Sequence, residues 1–134
     1  MGVFNTVQQL IIAVAICAGG QAYAEVTLPG YGRFTGTTIQ ETISGKPLPA
    51  TVHAWLGIDY ASQPVGDARF TAVGPPAPFE GVKEAAQYGA SCVQDPKIWP
   101  LDQKEACLNM NVYRPETVPA NAKLPVLVWI YGVS

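Results

Sequence analysis

Ser91, in the stretch GASCV, is the serine whose neighbours come nearest to those of a nucleophile. Nucleophilic hydrolysis needs such a hydroxyl or a thiol, a base within reach, and a third group that orients the base. One widespread solution is G-x-S-x-G, in which small flanking residues permit a sharp turn from strand to helix. Here Gly89 supplies the first glycine, but Val93 stands where the second belongs. The only imidazole is His53, and its setting in TVHAWLG reads as an ordinary strand position. Asp95, Asp102 and Glu105 gather in one loop, which reads as solvated surface rather than an acid–base pair. The glycines of YGRFTG are wrongly spaced for a phosphate loop and precede no helix. A single histidine also leaves no Cys/His set with metal-ligand spacing, so no metal and no cofactor are expected.

The elements that must carry these residues read mainly as strand and loop. Glycine and threonine punctuate GYGRFTGTTIQETISGKPLPA, which suits short strands near 31–34 and 37–41 with SGKPLP as a turn. TVHAWLGIDYA is rich in β-formers and suggests a strand over 52–56. The proline- and glycine-rich stretch 62–81 cannot hold helix or ladder for long and reads as an ordered surface loop. VKEAAQYGA suggests at most two helical turns, ended by Gly89. CLNMNVYRP places Leu108, Met110 and Val112 on one side and Asn109, Asn111 and Tyr113 on the other, a strand with one dry face stopped by Pro115. LPVLVWIY is apolar throughout, the pattern of a strand buried on both faces.

The 134 residues accommodate one domain at most. Residues 1–24 carry no Asp, Glu, Lys or Arg, and a short apolar run from Leu10 leads to Ala22-Tyr23-Ala24. This is the form of a secretory signal peptide cut after Ala24. The run is about half the roughly 20 apolar residues needed to span a bilayer. A net charge of −2 provides no basic footprint for nucleic acid. Beyond Ala24 two cysteines are left, Cys92 and Cys107, fifteen positions apart. In an oxidising compartment they would pair, closing a loop worth roughly 3 kcal/mol in the chain-entropy model. Two independent buried thiols are the other reading of the same residues.

Three stretches, in order, resemble the type-B carboxylesterase/lipase family, the α/β-hydrolases that include cholinesterases and fungal lipases. WLGIDYASQPVGDARF at 55–70 is similar to the family's FLGIPYA-x-PPVG-x-x-RF, EACLNMNVYRP at 105–115 to E-D-C-L-x-L-N-V-x-x-P, and LPVLVWIYG at 124–132 to LPVLVWIYGG. The resemblance implies an α/β fold, of which this portion is a small N-terminal sheet and the first strands of the central sheet, mostly β and loop. It implies that Cys92 and Cys107 form the family's first disulfide and that Arg69 pairs with Glu105. A planar guanidinium on a carboxylate would then pin two irregular loops. Asp59 and Gln63 stand where the family has prolines, and Ala106 where it has Asp.

In the family the apolar strand runs into a glycine loop whose backbone N–H groups form the oxyanion hole. Gly132 matches its start, and Val133 and Ser134 stand where the donors would follow. The family's Ser, acid and His lie farther downstream. The resemblance therefore implies residues 25–134 as an incomplete N-terminal part of a secreted serine ester hydrolase, inactive as these residues alone. A complete relative would take a small-molecule or lipid ester, with no metal and no nucleic acid. The alternative is a secreted, non-catalytic binding module of the same descent, in which Trp99 would be a contact residue, although its place on the disulfide loop favours a buried anchor of that loop.

Overall fold

In the computed structural model of the chain, residues 25–40, 42, 43, 45–95, 97, 102–119 and 121–130 are described. The signal peptide with its cut after Ala24, Trp99 and Gly132 fall outside them.

Strand β1 (Glu25–Leu28) turns through Pro29, Gly30 and Tyr31 into β2 (Gly32–Thr35) and pairs with it antiparallel, Val26 opposite Phe34. Gly30 takes φ 75°, the left-handed conformation such a tight reversal requires. β3 (Thr37–Ile39) follows, then the small hairpin of β4 (Thr42–Ile43) and β5 (Lys46–Pro47), the second of which lies inside the stretch expected to be a turn. β6 (Val52–Asp59) is the longest strand and extends past the expected 52–56. It lies between β3 and β8 (Asn109–Pro115), antiparallel to both.

Between β6 and β8 the proline-rich stretch crosses the surface with one 3-10 turn at Gly66–Ala68 and delivers β7 (Val82–Glu84) alongside β2 in parallel. The expected helix over 82–89 is therefore replaced by a strand. Tertiary bonding decides it: the Ala85 N–H donates to Thr35 O at 2.8 Å, and the Ala85 carbonyl accepts from Leu56 N–H at 2.8 Å. A segment bonded on both sides has no backbone groups left for helical i→i+4 bonds. Ala85 thereby stitches the β1-β2-β7 sheet to the β3-β6-β8 sheet.

The core is small. Phe34, Trp55, Ile58 and Ala85 are buried together, flanked by Val26, Leu28, Tyr31 and Phe79. Tyr31, Phe34 and Phe79 stand 5.1–5.5 Å apart in tilted and edge-to-face pairs, the arrangement that ring quadrupoles favour. Trp55 and Ile58 can share this core despite their odd separation because β6 bulges between them, where register shifts from Trp55↔Val112 to Ile58↔Met110. Gly57 makes the bulge at φ 66°, its N–H held by Asn111 Oδ1 at 2.9 Å.

Two further expectations are corrected. β8 has no dry face, since Met110 and Val112 are each 41% exposed. Residues 124–130 form no strand and lie open to solvent, Leu127 at 94% exposure. Both reflect one cause. A strand is dried only by a layer packed on it, and the described residues, which include no α-helix, place no such layer over β8 or over 124–130.

Candidate functional site

The residues singled out for chemistry separate into two places. His53 lies at the second position of β6 between Thr38 and Arg114, with the Trp55 ring centroid 6.1 Å away. Its Nδ1 and the Nε of Arg114 are buried without a hydrogen-bond partner. Ser91 lies instead immediately before the disulfide loop, where its hydroxyl donates to the Asp102 carbonyl at 3.1 Å. Its backbone is held as well, N–H to Asp102 O at 2.9 Å and carbonyl from Lys104 N–H at 3.0 Å. A hydroxyl spent on a backbone carbonyl, with the imidazole on another element, is a structural serine. The acids of the loop are likewise occupied: Asp95 Oδ1 accepts the Lys97 N–H at 2.9 Å, and Asp102 pairs with Lys104 at 3.0 Å. Among the described residues, no group of His, Cys, Asp and Glu is placed to hold a metal ion.

The second place is a junction between the loop after β6 and the segment leading into β8. Cys92 and Cys107 are joined by a disulfide, their Cα atoms 4.9 Å apart. Arg69 follows the 3-10 turn in extended conformation and sets its Nε 3.2 Å from Glu105 Oε1. Both side chains are about half exposed, so water screens the pair and it contributes at most about 1 kcal/mol. Its value is positional, tying the end of the 55–70 stretch to the residue two before Cys107.

A contact that sequence reasoning misses joins the same segments more firmly. Gln63 Oε1 accepts the Leu108 N–H at 3.0 Å, and Gln63 Nε2 donates to the Leu108 carbonyl at 3.2 Å. A side-chain amide thus does what an added strand would do. The available signal was an amide standing where the family has proline.

Pro64, Arg69, Phe70, Val93, Glu105 and Cys107 surround an open hollow of about 340 Å³ beside the disulfide. Phe70 forms its outer wall at 96% exposure and φ 60°, with the Arg69 guanidinium 5.3 Å from the ring centre. The Tyr113 hydroxyl of β8 donates to that of Tyr88 at 3.1 Å. Partial burial, then the Tyr88 contact, push the Tyr113 phenol up to about 12. Burial and the neighbouring Asp59 charge raise Tyr31 in the same direction.

Comparison with known proteins follows the same stretches. The carboxylesterase family model matches residues 22–134. The chain is 54% identical over 115 residues to secreted lipase 4 of Gibberella zeae, covering 84% of this chain and 21% of that protein. It is 39% identical over 114 residues to the para-nitrobenzyl esterase of Bacillus subtilis, covering 81% of this chain and 21% of that one. A solved PNB esterase superposes with a TM-score of 0.55 at 40% identity, over 71% of this chain and 17% of its own. The 134 residues thus span about a fifth of the length of these relatives. With strands and motif stretches in that order, and as part of an α/β-hydrolase fold, the chain belongs to the carboxylesterase family.

Proposed function

We propose that residues 1–24 are a signal peptide removed after Ala24 and that residues 25–134 are the N-terminal part of a secreted carboxylic-ester hydrolase. The active centre of such an enzyme joins a nucleophilic Ser, a His base and an orienting acid, through an acyl-enzyme opened by water. In this reading none of those three lies within residues 25–134, which is supported by the bonding of Ser91 to Asp102 and the place of His53 in a sheet. We therefore propose that these 134 residues alone do not turn over ester, and that their part is scaffold. Gly132, as the start of an oxyanion loop, belongs to the same proposal. The substrate class is a small-molecule or lipid ester, in keeping with relatives named lipase and esterase.

The observation that best supports this reading is the union of stretches 55–70 and 105–115 into one unit. β6 pairs with β8, Gln63 holds Leu108, and Arg69 meets Glu105. The test is a chimera in which residues 25–130 replace the matching segment of the Bacillus para-nitrobenzyl esterase. It is expected to hydrolyse a para-nitrobenzyl ester and to be silenced by a serine-reactive phosphonate. A folded chimera without activity overturns the ester-hydrolase reading. Phosphonate-sensitive turnover by the pure 134-residue chain overturns the scaffold reading.

The alternative, a non-catalytic binding module, draws on the exposed apolar side chains of 126–130. Sequencing the transcript beyond Ser134 separates the two, because a downstream G-x-S-x-G belongs only to the hydrolase.

A further inference from the structure

We infer that Asn109 is a positioning residue for the oxidation of Cys92 and Cys107, a non-covalent clasp that closes the loop before the sulfurs join. The Asn109 Nδ2 group donates one hydrogen to the Ala90 carbonyl at 2.9 Å and the other to the Cys107 carbonyl at 3.1 Å. Ala90 lies two residues before Cys92, and Asn109 two residues after Cys107. One amide therefore spans the two chain segments that carry the sulfurs, immediately outside the ring they close. The chain makes room for it. A Cβ on Gly89 would stand 2.5 Å from Asn109 Cγ, so only glycine leaves space for the amide.

The chemistry is thiol–disulfide exchange. A glutathione thiolate attacks a sulfur of the protein disulfide and gives a mixed disulfide and one protein thiolate. A second glutathione releases the other protein thiol and leaves as oxidised glutathione, so each disulfide reduced consumes two glutathiones. Oxidation is the reverse, and its yield depends on how often the two cysteines meet. Bringing the ends of a flexible loop together costs entropy, and a contact that already holds them raises the effective concentration of one thiol at the other. By reciprocity, a clasp stabilised by the disulfide stabilises the disulfide equally. The bridge between Ser91 and Gln103 adds backbone bonds from the residue just before Cys92 to the far side of the ring. Asn109 is the outer member and acts through one side chain, which makes it separable.

The test titrates the 134-residue chain against mixtures of reduced and oxidised glutathione, with alkylation and peptide mass spectrometry reporting Cys92 and Cys107 apart from Cys17. Asn109→Ala is expected to lose the disulfide at about tenfold lower ratio of squared glutathione to oxidised glutathione. Gly89→Ala, which pushes the amide aside, is expected to shift the midpoint in the same direction. The double variant is expected to shift it no further than Asn109→Ala, because both changes remove one contact. Asn111→Ala is the control, since it removes an asparagine from the same strand as Asn109 and frees the Gly57 N–H of β6 without touching the cysteine segments. A midpoint unmoved by Asn109→Ala, a shift no larger than that of Asn111→Ala, or additive shifts in the double variant would each overturn the inference.

Discussion

The side-chain amide of Gln63 pairs with both backbone groups of Leu108, accepting its N–H at 3.0 Å and donating to its carbonyl at 3.2 Å, across 45 residues of chain. A proline at 63 could do neither. The loop after β6 thus owes its place to hydrogen bonds where the family pattern relies on ring stiffness. Gln63→Ala leaves the partly buried Leu108 N–H without this acceptor and is expected to destabilise the chain by about 1–3 kcal/mol. In urea unfolding this is a lower midpoint at unchanged slope. Gln63→Glu keeps the acceptor but sets a carboxylate against the Leu108 carbonyl, so it is not expected to rescue. An unchanged midpoint in both variants would show that the amide contact contributes nothing net.

Gly57 tests the bulge. Its φ of 66° is disfavoured for residues with a Cβ, and an added Cβ would meet Gln87 O at 2.8 Å. Gly57→Ala is expected to cost about 2 kcal/mol or more, combining strain with that close approach. Gly45, at φ 75° with nothing within 4 Å, isolates the strain alone. Gly45→Ala is expected to cost about 1 kcal/mol. Equal losses at the two glycines would show that the contact with Gln87 is relieved by a small backbone shift.

Tyr113 gives the chain an alkaline limit. Its phenol is raised from 10.0 to about 12, by burial first and the Tyr88 hydroxyl second. Between those values the folded chain keeps the proton that the unfolded chain releases. The folded state then binds more protons, so stability falls as pH rises above 10. Tyr31, raised for similar reasons, adds to the same slope. Tyr113→Phe is expected to flatten the decline in melting temperature above pH 10 and to remove the late step in phenolate absorbance. An undiminished decline in that variant would place the alkaline loss elsewhere.

How far the sequence foretold this arrangement depends on the range of the interactions involved. β6 and β8 are legible because β-formers declare a strand locally, and only the bulge at Gly57 is hidden from such reading. VKEAAQ is made of good helix formers, yet ladders from Thr35 and Leu56 claim its backbone at Ala85. Local propensity yields to tertiary bonding there. Arg69 and Glu105 are reachable only through the family resemblance, because nothing in their spacing announces a contact between loops. Gln63 with Leu108 and Asn109 with Ala90 carry no local signal. Each joins residues 45 and 19 positions apart through a side chain that reads, by itself, as ordinary polar surface.

Residues 124–130 are expected to govern self-association of the chain. Val126, Leu127, Val128, Trp129 and Ile130 are consecutive and all exposed, with no ladder partner among the described residues. An uncovered run of β-formers without charge pairs readily with its own copies, and the hazard comes from contiguity rather than from any one side chain. Leu127→Lys with Trp129→Lys interrupts the run. At 94% and 85% exposure these positions contribute little packing, so the melting temperature is expected to stay within about 1 °C while light scattering falls severalfold. Phe70→Asn is the control, removing a side chain just as exposed but isolated from the run, and relaxing the φ of 60°. It is expected to leave scattering unchanged. If Phe70→Asn lowers scattering as far as the double lysine variant, association follows total exposed apolar surface, and edge pairing by 124–130 is the wrong account.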